Sequence, residues 1–157
     1  MMRIGSERLY LFPASDDEIR ALIREQTDAE LKQAYSEMLQ GCIEEPENRL
    51  WYTVWFMELK DQPGTIVGDL CFKGLGPDGT VEIGYGLREG FCGRGYMTEA
   101  VRRLSEWALS QDGVTRVEAE TAPENTASRK VLLKAGFREN GKYGEEGPRY
   151  VYVRPSF

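Results

Sequence analysis

The sequence predicts an α/β chain with a mixed, mainly antiparallel sheet of six or seven strands and about four flanking helices. Three patterns predict it. Between Trp51 and Leu87, β-rich runs are separated by turn residues at Asp61–Gly64 and Pro77-Asp78-Gly79, the signature of an antiparallel meander. At Gly95 the hydrophobic period changes from that of a strand to that of a helix. A further β-rich run, Val114–Thr121, follows that helix, and strand–helix–strand requires a right-handed parallel crossover.

In chain order, Leu9–Phe12 is a short apolar strand stopped by Pro13. Ser15 or Asp16 then offers an N-cap, with Glu18 placed for a capping box. Ile19, Leu22 and Ile23 form one helical face, and Leu31, Ala34, Tyr35, Met38 and Leu39 form a second after Thr27. Gly41 and Pro46 break the pattern, and Glu44–Asn48 reads as a surface loop. Trp51–Leu59, Thr65–Phe72 and the run from Val81 make the meander. Gly113 ends the central helix, and in the following strand Val117, Ala119 and Thr121 share one face. A last helix spans about Asn125–Ala135, stops at Gly136, and leads into a closing hairpin of Phe137–Tyr143 and Arg149–Val153.

The stretch Val81–Ala100, VEIGYGLREGFCGRGYMTEA, carries the chemistry. Val81, Ile83, Tyr85 and Leu87 alternate on one strand face, leaving Glu82, Gly84 and Gly86 on the other. Two glycines on one face mark a bulge or the close approach of a ligand or another backbone. Gly90, Gly93 and Gly95 follow, and from Tyr96 the residues Met97, Ala100, Val101, Leu104, Trp107 and Ala108 keep helical spacing. A helix start has unpaired N–H groups and partial positive charge, so glycines leading into it suit a phosphate. Two phosphate-binding readings compete. The dinucleotide fingerprint would place a glycine where Thr98 stands, although Glu118 lies near the required acidic position. The alternative is an acyl-CoA loop.

A length of 157 residues suits one domain with a substantial core, 1–157. The net charge of −6 gives no broad basic footprint, so neither nucleic acid nor an anionic membrane surface is an expected partner. No apolar run has the span of a bilayer and the N-terminus lacks a signal-peptide pattern, so the expected location is cytoplasmic. Cys42, Cys71 and Cys92 lack C-x-x-C spacing, which argues for reduced thiols and against a structural zinc site. With no histidine in the chain, any general base is a carboxylate, amine, phenol or water, and no metal is expected.

The string GRGYMTEA, Gly93–Ala100, resembles the pyrophosphate loop of the GNAT superfamily of acetyltransferases. PENTASRKVLLKAGF, Pro123–Phe137, is similar to that superfamily's N-x-x-S helix ending in Gly-Phe. SERLYLFPASDDE, Ser6–Glu18, resembles the opening of its Rim-type branch, which acetylates N-terminal amines of ribosomal proteins. Two positions depart from the family pattern: Gly90 stands where the loop's first residue is glutamine or arginine, and Leu132 stands where many members have a tyrosine acid.

The resemblance implies a splayed parallel strand pair at the cofactor site and transfer of an acetyl group from acetyl-CoA to an amine. Gly86 and Leu87, with amides freed by a bulge, would contact the oxyanion and pantetheine arm. The amides of Cys92, Gly93, Arg94, Gly95 and Tyr96, leading into Met97 and Thr98, would cradle the pyrophosphate. Asn125 would bind the pantetheine arm, cap the last helix, or do both, and Ser128 would act as acid or thiolate stabiliser near the sulfur. Glu82, with a pKa raised by burial, is the candidate base, and Glu120 and water are its rivals. Arg88, Arg94, Arg102, Arg129 and Lys130 supply positive charge for phosphates. Tyr35 and Met38 would line the acceptor pocket, or simply pack in the core. A non-catalytic acyl-CoA-binding protein on the same fold and an NAD-dependent dehydrogenase are the alternatives. Superfamily members are often dimers, which keeps a homodimer open as an assembly.

Overall fold

A computed structural model describes residues 2–153. Eight strands form one sheet in the order β1-β2-β3-β4-β5-β6-β8-β7. They are β1 (Ile4–Gly5), β2 (Leu9–Pro13), β3 (Val54–Leu59), β4 (Ile66–Leu75), β5 (Thr80–Leu87), β6 (Arg116–Glu120), β7 (Phe137–Tyr143) and β8 (Pro148–Tyr152). The helices are α1 (Asp16–Glu25), α2 (Ala29–Glu44), α3 (Tyr96–Leu109) and α4 (Thr126–Ala135). Every neighbouring pair is antiparallel except β5 and β6, joined through α3. Seven strands are those the sequence predicts. The eighth, β1, has only two residues, too short for any period to show.

Local signals set the helix ends. Ser15 caps α1: its Oγ accepts the Glu18 amide at 3.2 Å, and the Glu18 carboxylate accepts the Ser15 amide at 3.0 Å. At the other end of the chain, α4 stops where Gly136 takes φ +107°, a left-handed cap.

The stretch from Glu44 differs from expectation. Pro46–Trp51 forms a 3-10 helix, and β3 starts only at Val54. Trp51 is therefore not a strand residue. Its indole instead packs 5.3 Å from the Trp107 ring and 5.0 Å from that of Phe72, and Trp107 also meets Trp55 at 4.9 Å. This aromatic group joins the 3-10 helix and sheet to α3, and such pairs add about 1 kcal/mol each beyond area burial.

The sheet carries a core on each face. Leu70, Phe72, Val81, Ile83 and Val117 pack with Met97, Val101 and Leu104 of α3 and Leu132 of α4. Opposite, Val54, Phe56 and Phe12 pack with Ile19 of α1 and Tyr35 of α2. All six residues of β3 are buried, as a central strand covered on both faces requires. Among the described residues no helix is long and apolar enough to cross a membrane.

Candidate functional site

The site begins where β5 and β6 part. Their parallel register runs Thr80↔Arg116, Val81↔Val117 and Glu82↔Glu118 and then ends, while β5 stays paired to β4 as far as Gly68↔Leu87. The expected bulge at Gly86 and Leu87 is absent, since the register between β4 and β5 shifts only in Phe72–Leu75. Splaying opens the strand instead. The Arg88 amide donates to the Val67 carbonyl on the β4 side, so alternation along the strand turns the Leu87 N–H towards the open edge and the Gly86 N–H towards β4. Of the two expected amides, only that of Leu87 is offered to a ligand in the splay.

Beyond β5, Gly90, Gly93 and Gly95 take φ of +90°, +79° and +78°. Side chains rarely tolerate these angles, so the loop can wind tightly into α3 only because these residues lack Cβ. Gly95 is the N-cap and offers no side-chain cap, which leaves the first-turn amides of α3 without a side-chain acceptor. Cys92, Gly93 and Arg94 are exposed, whereas the Met97 side chain is buried in the core and can offer a ligand only its amide.

Arg8, on the approach to β2, holds this loop. Its guanidinium donates to the Arg94 carbonyl at 2.8 Å, pairs with Glu99 at 2.7 Å, and lies 4.6 Å from the Tyr96 ring centre. Glu99 also accepts from the Ser6 hydroxyl at 2.5 Å, and although burial alone would raise its pKa, these partners hold the carboxyl below the usual range. Sequence reading missed Arg8 because its partner lies 91 residues away. Beside the loop, Gly95, Thr98, Arg102, Arg103 and Lys134 line a cleft of about 460 Å³. Of the five basic residues singled out in the sequence, only Arg102 lines this cleft.

Asn125 caps α4, its side-chain oxygen accepting the Ser128 amide at 3.1 Å. Ser128 Oγ lies 2.8 Å from the Tyr85 hydroxyl of β5. The family tyrosine position on the helix is Leu132, which is fully buried, yet a phenol reaches the serine from the sheet. Burial pushes the Tyr85 phenol above its ordinary value, partly offset by the bond to Ser128, so it stays protonated near neutral pH. Alternation in the sequence marked Tyr85 only as a core residue, and nothing local shows that its ring tip meets α4.

On the opposite face of β5 a cleft of about 480 Å³ lies under α1 and α2, lined by Leu22, Tyr35, Met38, Asp69, Gly84 and Gly86, among others. Tyr35 and Met38 therefore border a cavity next to the glycine face, as the resemblance implies. Asp69 pairs in register with Gly86 and accepts a hydrogen bond from the Tyr35 hydroxyl at 3.1 Å. No local pattern marks Asp69, a lone acid within an apolar strand.

Glu82 lacks the raised pKa expected of it. Its carboxylate is bound by Arg149 at 2.9 Å and Lys73 at 2.8 Å. Burial would raise its pKa, but these two cations outweigh burial and hold it below the usual glutamate range. Its rival Glu120 pairs with Arg149 at 2.7 Å and accepts the Glu146 amide at 2.9 Å. Both carboxylates are committed to a structural ion network, which also takes Glu118 out of any ribose-binding role.

The sequence matches the family described as acetyltransferase (GNAT) domain over residues 6–138. It is 38% identical over 101 residues to the uncharacterized N-acetyltransferase YjdG of Bacillus subtilis (strain 168), a stretch covering 63% of this chain and 58% of that protein. The chain thus matches less than two thirds of that relative's length. A crystal structure of an acetyl transferase from Salmonella typhimurium, described as modifying the N-terminal serine of ribosomal protein L7/L12, superposes with a TM-score of 0.72 at 20% identity, covering 98% of this chain and 100% of that one. A RimL ribosomal L7/L12 acetyltransferase in complex with coenzyme A gives 0.71 at 21% identity, covering 98% and 97%. The family match spans most of the sequence and the fold agrees from end to end, so the chain belongs to the GNAT acetyltransferase family.

Proposed function

We propose that the chain is a single acetyl-CoA-dependent N-acetyltransferase domain, residues 1–157, that moves an acetyl group to a primary amine such as a protein N-terminus or a small amine. The carrying observation is the Tyr85–Ser128 hydroxyl pair, 2.8 Å apart at the splay of β5 and β6, in a fold whose glycine loop opens an uncapped helix start. Acetyl-CoA fits the residues present: three left-handed glycines and the free first turn of α3 suit a pyrophosphate, and the open edge of β5 suits an amide-bearing arm. When bound, acetyl-CoA supplies an activated acetyl group and a thiolate leaving group.

The chain's own groups meet the chemistry at three points. Amides of Cys92–Met97 hold phosphate oxygens, with Arg8 fixing the loop. The Leu87 amide, turned to the splay, donates to acyl or pantetheine oxygen. Ser128, with Tyr85 behind it, would donate a proton to the departing sulfur and be reprotonated from solvent, while the amine nitrogen gives up its proton to solvent water as the new amide forms. A cytoplasmic site of action suits three free thiols. The dinucleotide reading lacks a doubly wound parallel sheet, since among the described residues only one strand pair is parallel.

Ligand-dependent melting tests the assignment. Acetyl-CoA stabilises the protein by about 2.7 kcal/mol at one hundred times its Kd. Gly95→Val removes that shift, because φ of +78° strains any branched side chain and a Cβ would sit 3.3 Å from the Arg8 guanidinium. Stabilisation by NAD(H) and none by acetyl-CoA would overturn the proposal.

A further inference from the structure

Most half-buried or buried carboxylates on the central strands have an arginine. Glu58 of β3 pairs with Arg3, Glu82 of β5 with Arg149, Glu118 of β6 with Arg116 and Arg149, and Glu120 of β6 with Arg149. Asp69 of β4 is the exception. Among the described residues its carboxylate has one hydrogen bond, accepted from the Tyr35 hydroxyl, and makes no ion pair. It also lines the cleft under α1 and α2, opposite Gly86, so the open side of its carboxylate faces a cavity, with Arg88 on the cleft wall but not ion-paired to it.

An unpaired carboxylate in a partly desolvated cavity is costly unless a cation arrives to meet it. The cavity walls show what kind of cation. Leu22, Leu31 and Met38 are apolar, and the Gly84 and Gly86 positions leave a passage beside the strand edge. A Cβ at Gly86 would meet nothing within 4 Å, so this side of β5 is open space. Resting on the acetyl-transfer reading of this same site, we propose that Asp69, held by Tyr35, is the anchor on which the acceptor docks as its ammonium, which gives a proton to solvent water before the amine attacks, and that the acceptor is a primary amine carried on an apolar group. The Tyr35 bond fixes one carboxylate oxygen and leaves the other to the ligand. Asp69 is thus a specificity determinant on one face of β5, while Ser128 and Tyr85 act from the other.

The charged and titratable groups facing Asp69 are Tyr35 of α2, Cys71 of β4, Arg88 after β5, and Glu25 of α1 at the rim. Burial raises the Asp69 carboxyl above its ordinary value, and Tyr35 and Arg88 pull it back. Burial also pushes the Cys71 thiol up to about 11, so it adds no charge at neutral pH. Arg88 is the cation lining this cleft, so a bound ammonium would share the Asp69 carboxylate with it.

The test needs no identified acceptor. Phenylethylammonium and its neutral analogue phenylethanol are titrated into the full chain without acetyl-CoA, with binding followed by NMR. The wild type prefers the ammonium, and Asp69→Asn weakens ammonium binding by at least about tenfold while leaving phenylethanol unchanged. Tyr35→Phe keeps the preference and raises the pH at which ammonium binding is lost on acidification, because the hydrogen bond that favours the charged carboxylate is gone. Equal loss of both ligands in Asp69→Asn would show a merely structural role, and a wild type that binds phenylethanol as tightly as the ammonium would overturn the anchor. Acetyl-CoA melting shifts, run on the same samples, separate the two ideas: their absence in the wild type sinks acetyl transfer, whereas an unchanged ammonium preference in Asp69→Asn sinks only this inference.

Discussion

At the scale of single residues, the proposed chemistry rests on contacts between groups far apart in the chain. Tyr85 and Ser128 are 43 positions apart, as strand and helix side chains that meet only after β5 and β6 diverge. Ser128 was legible only through the resemblance of N-x-x-S to the family's helix, whereas the Asn125 cap could be read from the residues themselves. Tyr85 was not, because period-two alternation reports which face a side chain takes and not what its tip touches. If the pair donates to the sulfur, Ser128→Ala and Tyr85→Phe each lower kcat by about tenfold to a hundredfold, with the acetyl-CoA dissociation constant unchanged, since the interaction strengthens only as thiolate charge develops. The double variant loses little more than the worse single one, because both remove the same hydrogen bond. Measured kcat at saturating acceptor, beside direct titration of acetyl-CoA, checks this. Loss confined to affinity would make Ser128 a cofactor contact.

Among the elements, β5, β6 and β8 are locked by one side chain. Arg149 reaches Glu82, Glu118 and Glu120, and those bonds hold the strands together just below the point where the splay begins. Removing it leaves three carboxylates short of a partner. Arg149→Met therefore destabilises the fold by about 3 kcal/mol at neutral pH. The pH dependence has a definite sign. The folded-state pKa of Glu82 is lowered, so its contribution is present above the ordinary glutamate value of about 4.3 and is lost as the pH falls through the folded value. Without Arg149 that contribution shrinks, so the stability gap between wild type and variant narrows on acidification below about pH 4. Denaturant melts across that range provide the measurement, and a gap independent of pH would show that packing and not charge is lost. The same network explains why a carboxylate on a glycine-bearing strand face looked free: its cations come from β4 and β8, and no local pattern reveals them.

Across the whole molecule, the sequence was most legible where a period, a cap or a breaker acts locally. The α1 capping box, the change of period at Gly95 and the Gly136 stop each recur in the structure within a residue or so. It was least legible where tertiary packing overrode propensity. Trp51 has strand character but sits on a 3-10 helix, because its ring is needed over Trp107 and Phe72. Asp69 and Arg8 carry no local signal, since their partners lie on α2 and α3. On these proposals the sheet works from two faces, with the glycine loop and hydroxyl pair towards α3 and α4 and the Asp69 cleft towards α1 and α2. The most direct test of this arrangement is to incubate the protein with acetyl-CoA and a panel of primary amines, including serine- and alanine-initiated peptides and phenylethylamine, and to measure free thiol and acetylated amine together. One thiol is released per amide formed, only when an amine is present. Thiol release without any amine product, or tight acetyl-CoA binding with no turnover of any amine, would contradict it.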